Sequence, residues 1–135
     1  MVKLIMGLKG SGKTKQFVSS INESVKNETG SMVCIENGKH LTYDIDYRVR
    51  LIDAKEYAIN TETLLRGFIS GLHAGNFDIT HVFIEGLYKI IGEDRSVAES
   101  FIAWCKAFGE ANNMEFTMTV SDDPAEMAAE GGGPR

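Results

Sequence analysis

Eight consecutive residues near the amino terminus, Gly7-Leu8-Lys9-Gly10-Ser11-Gly12-Lys13-Thr14, carry the clearest chemistry in the chain. They fit the spacing G-x-x-x-x-G-K-[ST] at every fixed position, a match expected by accident in only ~1% of chains of this length and composition. The residue types suit a bound anion. Gly7, Gly10 and Gly12 give the backbone freedom to curl consecutive N–H groups around a phosphate, and Lys9 and Ser11 complete the loop. Lys13 can reach β- and γ-phosphates as a point charge, and the Thr14 hydroxyl can coordinate Mg²⁺. Charge follows the same pattern: residues 1–15 hold Lys3, Lys9, Lys13 and Lys15 with no acid, whereas residues 16–84 carry six bases against nine acids and residues 85–135 four against ten.

Such a cradle works only between a strand and a helix, where the helix N-terminus adds its partial positive charge. The flanking pattern predicts that arrangement. Val2 to Met6 is a short apolar run closed by Gly7, and from Gly12 onward Phe17, Val18, Ile21 and Val25 recur at helical spacing, ending near Thr29-Gly30, where Gly30 is expected to take a left-handed cap. A second strand is predicted over Met32 to Glu36, stopped by Asn37-Gly38, and a further one over residues 49–53, with Leu41 to Ile45 either pairing or crossing as a loop. Asn60 or Thr61 can cap a helix carrying Leu64, Leu65, Phe68, Ile69 and Leu72. His81 to Glu85 reads as another strand, Ser96 to Glu99 as a capping box ahead of a helix running to about Asn112, and Met114 to Ser121 as a last strand. Strands alternating with helices imply an α/β fold: a three-layer, open, mostly parallel sheet of about five strands with helices on both faces. At 135 residues and 14.9 kDa the chain is expected to form one domain over residues 1–121, with a turn begun by Asp122 or Asp123 and a loose tail over 122–135.

The Gly7 to Thr14 residues resemble the Walker A motif of the P-loop NTPase superfamily. That resemblance implies ATP and Mg²⁺ as ligands, with Lys13 on the phosphates. It also implies a second acid at the end of an apolar strand, where Glu85 is the best candidate to share the metal with Thr14 and to act in catalysis; a solvent-facing strand end is its other reading. Gly86 stands where many such ATPases carry a water-orienting Glu. Glu93, Asp94 and Arg95 are replacements or a helix cap, Thr119 and Ser121 are phosphate sensors or core and turn residues, and Arg66 or Arg95 is the available arginine finger. Neither D-x-x-G after a strand nor [NT]-K-x-D occurs, so ATP is favoured over GTP. The element order is similar to a thymidine-kinase-like or RecA-like core, although the four-cysteine insertion and substrate-covering segment of thymidine kinases are lacking. As a whole the chain resembles small bacterial ATP-binding proteins, a likeness that carries no activity of its own.

Other classes fit poorly. A net charge of −5 argues against a general nucleic-acid binder. No apolar run approaches the ~20 residues of a membrane span, and the first residues lack a secretory h-region, so a cytoplasmic, non-membrane protein is expected. Cys34 and Cys105 read as buried reduced thiols, and His40, His73 and His81 share no ligand spacing. The leading expectation is therefore a Mg-ATP-binding protein with weak or partner-activated hydrolysis. The alternatives are a nucleotide-controlled interaction module using the loops at Asn37 to Tyr47 and Gly86 to Asp94, and a small-molecule or nucleoside kinase. If the last strand inserts between the first and the Glu85 strand, residues 2–6 form a sheet edge; a homodimer, a helix or the C-terminal tail would then cover it.

Overall fold

The computed structural model describes residues 1–127. Five strands, β1 (Val2–Met6), β2 (Ser31–Glu36), β3 (Val49–Asp53), β4 (Ile79–Ile84) and β5 (Glu115–Val120), form one sheet in the order β1-β5-β4-β2-β3. Every pair is parallel. Four helices connect or flank them: α1 (Lys13–Asn27), α2 (Glu62–Gly75), the short α3 (Leu87–Ile91) and α4 (Arg95–Asn112). Because side chains alternate along a strand, the sheet feeds two cores. Met32, Cys34 and Phe83 pack with Phe17, Ile21 and Val25 of α1 on one face. Val33, Ile35, Val82, Ile84, Phe116 and Met118 pack with α2, α3 and α4 on the other. This is an α/β protein with helices on both faces of a parallel sheet.

The handedness of crossovers explains the layering. From β1 to β2 and on to β3 the chain moves one way across the sheet, placing α1 and the loop bearing Leu41 and Ile45 on one face. From β3 to β4 and β5 it moves back, and a right-handed connection then puts α2, α3 and α4 on the opposite face. β5 inserts between β1 and β4, leaving β1 at an edge.

Three local expectations need correction. Gly30 is not a left-handed cap; α1 ends at Glu28 with extended backbone, its N–H donating to Ser24 O, and Gly30 is small because a Cβ there would lie 2.3 Å from the Thr80 side chain. Ser96 is not the cap of α4. Asp94 is, accepting from the N–H groups of Ser96 and Val97 and from the Ser96 hydroxyl, because the helix starts two residues earlier than the Ser-x-x-Glu pattern suggests. Residues 87–91, read as loop, form α3, whose Leu87 and Ile90 are buried. Leu41 to Ile45 cross as a loop rather than pairing. The turn at Asp123 is present, with Asp123 accepting from Ala125 N–H, and Met127 is fully buried within the 122–135 stretch expected as turn and loose tail; residues 128–135 of that stretch lie outside the described residues. Cys34 and Cys105 are buried free thiols, and burial pushes both well above the ordinary thiol range. Among the described residues no helix is long and apolar enough to cross a membrane.

Candidate functional site

The carboxyl ends of parallel strands gather the loops that carry chemistry. Gly7 follows β1 directly, and the chain turns through Gly10 and Gly12, at φ 86° and 85°, before α1 begins at Lys13. Only glycine takes such angles without strain, and a Cβ added to either would meet no heavy atom within 4 Å, so open space lies beside both. Gly7 is constrained differently, since a Cβ there would sit 2.4 Å from Ser11 Oγ. Ser11 N–H donates to Leu8 O at 3.1 Å, closing the turn. Lys13 is 9% exposed, and its Nζ donates to Leu8 O at 3.0 Å, holding the ammonium against the loop rather than out in solvent. Thr14 stands exposed in the first turn.

The start of α1 has no side-chain cap and no acid in its first turn. The missing cap sets it apart from α2, where Thr61 Oγ1 accepts from Leu64 N–H, and from α4, capped by Asp94, and is shared by the five-residue α3 that follows Gly86. A helix start carries unsatisfied N–H groups and about half a positive charge, so an uncapped one beside a lysine attracts anions.

Glu85 ends β4, separated from β1 by β5, hence about 10 Å across the sheet from the Gly7 loop. It is 8% exposed, and Lys89 Nζ lies 3.8 Å from its carboxylate. The next residue, Gly86, donates its N–H to Thr119 Oγ1 at 2.7 Å, so the Thr119 hydroxyl already holds the β4 exit in place. The structure therefore brings Gly7, Lys9, Gly10, Ser11, Gly12, Lys13 and Thr14 into one loop and sets Glu85 along the same sheet end without a hydrogen bond to them. Arg95 forms a two-pronged pair with Asp122, at 2.8 and 2.6 Å, and lies 3.5 Å from Glu126. Arg66 bonds Ser100, pairs with Glu62 and sits over the Trp104 ring, on the face away from α1.

Three constellations were not read from the sequence. Glu36, 2% exposed at the end of β2, accepts N–H groups of His40 and Leu41, both at 3.1 Å. Its signal was the same one that flagged Glu85, an acid closing an apolar strand. Asp122 gathers Arg95, Asp123 N–H and the Tyr88 hydroxyl; these donors hold its carboxyl far below the usual range, while burial and the adjacent carboxylate push the Tyr88 phenol up to about 12. His81 bridges Glu28, at the end of α1, and Thr117 on β5, with Nδ1 3.1 Å from the carboxylate and Nε2 2.8 Å from the hydroxyl. Burial lowers its pKa against the pull of Glu28. Compared with protein-family models and with curated proteins, the chain matches none.

Proposed function

We propose that this chain is a P-loop protein that binds Mg-ATP through Gly7 to Thr14 and hydrolyses it slowly or only when a partner completes the site. The observation that carries this reading is the bare start of α1: a glycine turn opening a helix that lacks any anion of its own, with Lys13 folded against it. A triphosphate supplies the missing charge. The backbone amides and Lys13 bind the phosphates, and Thr14 orients the hard-oxygen ligand sphere with Glu85 as the second oxygen donor. The residues fit that cofactor, since the Thr14 hydroxyl is exposed beside the open glycine turn. Mg²⁺, when bound, neutralises the phosphate charge.

Slow turnover follows from what the neighbours are doing. Gly86 offers no side chain to orient water, and Arg95 and Arg66 are committed to Asp122 and to the α2–α4 face. An arginine supplied by a partner can be worth ~10³–10⁵ in rate. Titration calorimetry with Mg-ATP is expected to show binding that Lys13→Ala removes. Unchanged affinity in that variant would sink the assignment, and turnover by the isolated chain above about 1 s⁻¹ would sink the slow-hydrolysis half of it.

A further inference from the structure

Two buried carboxylates stand side by side at the carboxyl end of the sheet and are satisfied differently. Ile35 and Ile84 are partners in the β2–β4 ladder, so Glu36 and Glu85 are neighbours one residue further on. Two positions before them lie Cys34 and Phe83, which pack with α1, so both acids belong to the α1 face. The Cys34 thiol, raised first by burial, is raised further by each of them. Glu36 accepts two N–H groups of its own loop. The Glu85 side chain is nine-tenths buried, yet among the described residues no hydrogen bond reaches its carboxylate. Such a group costs free energy unless a cation approaches it. Lys89 is that cation, with Nζ 3.8 Å away, beyond hydrogen-bond reach.

Lys89 reaches Glu85 because α3 is fixed and position 86 carries no side chain. Leu87 and Ile90 are buried, the Tyr88 hydroxyl bonds Asp122, and Gly86 N–H is held by Thr119. Gly86 has φ 71°, and a Cβ there would lie 2.9 Å from Lys89 Cδ and 3.3 Å from Cγ. The lysine stem therefore lies across the bare glycine. Its tip is loose, since the side chain is 60% exposed. Lys13 is bonded to Leu8 O instead, so among the described residues Lys89 is the cation that faces Glu85. An exposed pair of this kind is weak, whereas a divalent cation brings twice the charge and bonds a carboxylate oxygen directly.

We propose that Lys89 is a tethered counter-ion that competes with the divalent cation of the nucleotide site for Glu85. It neutralises the carboxylate until the cation takes the oxygen, and so lowers the affinity of the site for metal. This rests on the reading of Glu85 as an oxygen donor to that cation.

Mn²⁺ titration of the full chain saturated with ADP, with free Mn²⁺ followed by electron paramagnetic resonance, measures the competition. ADP leaves out the γ-phosphate, so a lysine contact there does not enter. Lys89→Met should tighten Mn²⁺ about threefold, a size set by one exposed pair, and Lys89→Arg should keep the wild-type affinity. Glu85→Gln should weaken Mn²⁺, and adding Lys89→Met to it should lose most of the threefold gain, because the two residues act through one contact. If neither ADP nor ATP binds, the nucleotide reading fails and this proposal goes with it. If nucleotide binds and Lys13→Ala removes it, the proposal alone is overturned by a Lys89→Met variant with unchanged or weaker Mn²⁺ affinity. An equal gain with and without Glu85→Gln would also overturn it, since Lys89 would then act only as a distant surface charge.

Discussion

Two loops leave the same carboxyl end of the same sheet and treat their backbone amides in opposite ways. After β2, the chain brings its own anion: the buried Glu36 carboxylate accepts from His40 and Leu41, and the loop is fixed over the α1 face by Leu41 and Ile45. After β1, the chain brings glycines and a lysine instead, with no carboxylate and no cap on the helix that follows. The first junction is electrostatically complete and the second is not. An incomplete junction with positive charge costs stability unless something else supplies the negative partner, and that difference is the physical content of the nucleotide-binding reading.

The comparison breaks most sharply at Gly12. A β-branched residue at φ 85° is strained and would project into the open space beside the turn, where the phosphate is proposed to sit, so Gly12→Val should weaken Mg-ATP binding at least about 100-fold, equivalent to about 2.7 kcal/mol, while the folded chain persists. Calorimetry and thermal melting of the same sample separate the two effects; retained affinity would mean that the β1 junction is not the phosphate site. Glu36→Ala should do the reverse. Removing a buried carboxylate from two amides is expected to cost about 3 kcal/mol, seen as a fall of roughly 10 °C in Tm, with nucleotide affinity nearly unchanged. If affinity collapses with stability intact, the two junctions are not the separate devices described.

The smallest effect concerns the other end of α1, where Glu28 is tied to His81. Burial holds the His81 pKa below its ordinary value of 6.5 against the opposing pull of Glu28 and Glu115, with the α-amino group adding to the depression. The folded state then binds fewer protons than the unfolded one, so stability is lost as pH falls below 6.5 through the folded value. Asp122 and Asp94, whose carboxyls are held low, give up their share only at more acid pH. Melting temperatures at pH 7.5 and 5.5 should therefore differ by a few degrees in the wild type and by less in His81→Gln. An equal difference in both proteins would remove His81 from the account.

Strand and helix positions were legible because each rests on local periodicity. Phe17, Ile21 and Val25 lie one helical turn apart and are all buried, and Met32 to Ile35 form a continuous buried run with both faces covered. Boundaries and caps were less legible. Asp94 and Ser96 are both good caps by type, and which one wins depends on where α4 meets the sheet; α3 is too short for a periodic signal and exists because Leu87 and Ile90 find the core. The glycine turn before α1 could be read residue by residue, since its positive φ angles at Gly10 and Gly12 rest on the glycines themselves. The Asp122 and His81 clusters could not, since their partners lie 27 and 53 residues away along the chain and sequence spacing has no term for proximity in space.

The amino-acid sequence by itself determined the five strands and the three longer helices, and which stretch carries the glycines, lysine and threonine of the proposed phosphate loop. Those properties depend on neighbours within a few residues. Only the tertiary structure decided that β5 enters between β1 and β4, that Glu85 therefore stands across a strand from the loop, and that β1 is left with an unpaired edge. Strand order follows from how crossovers of fixed hand bury two apolar faces at once, a condition on the whole sheet that no single segment encodes.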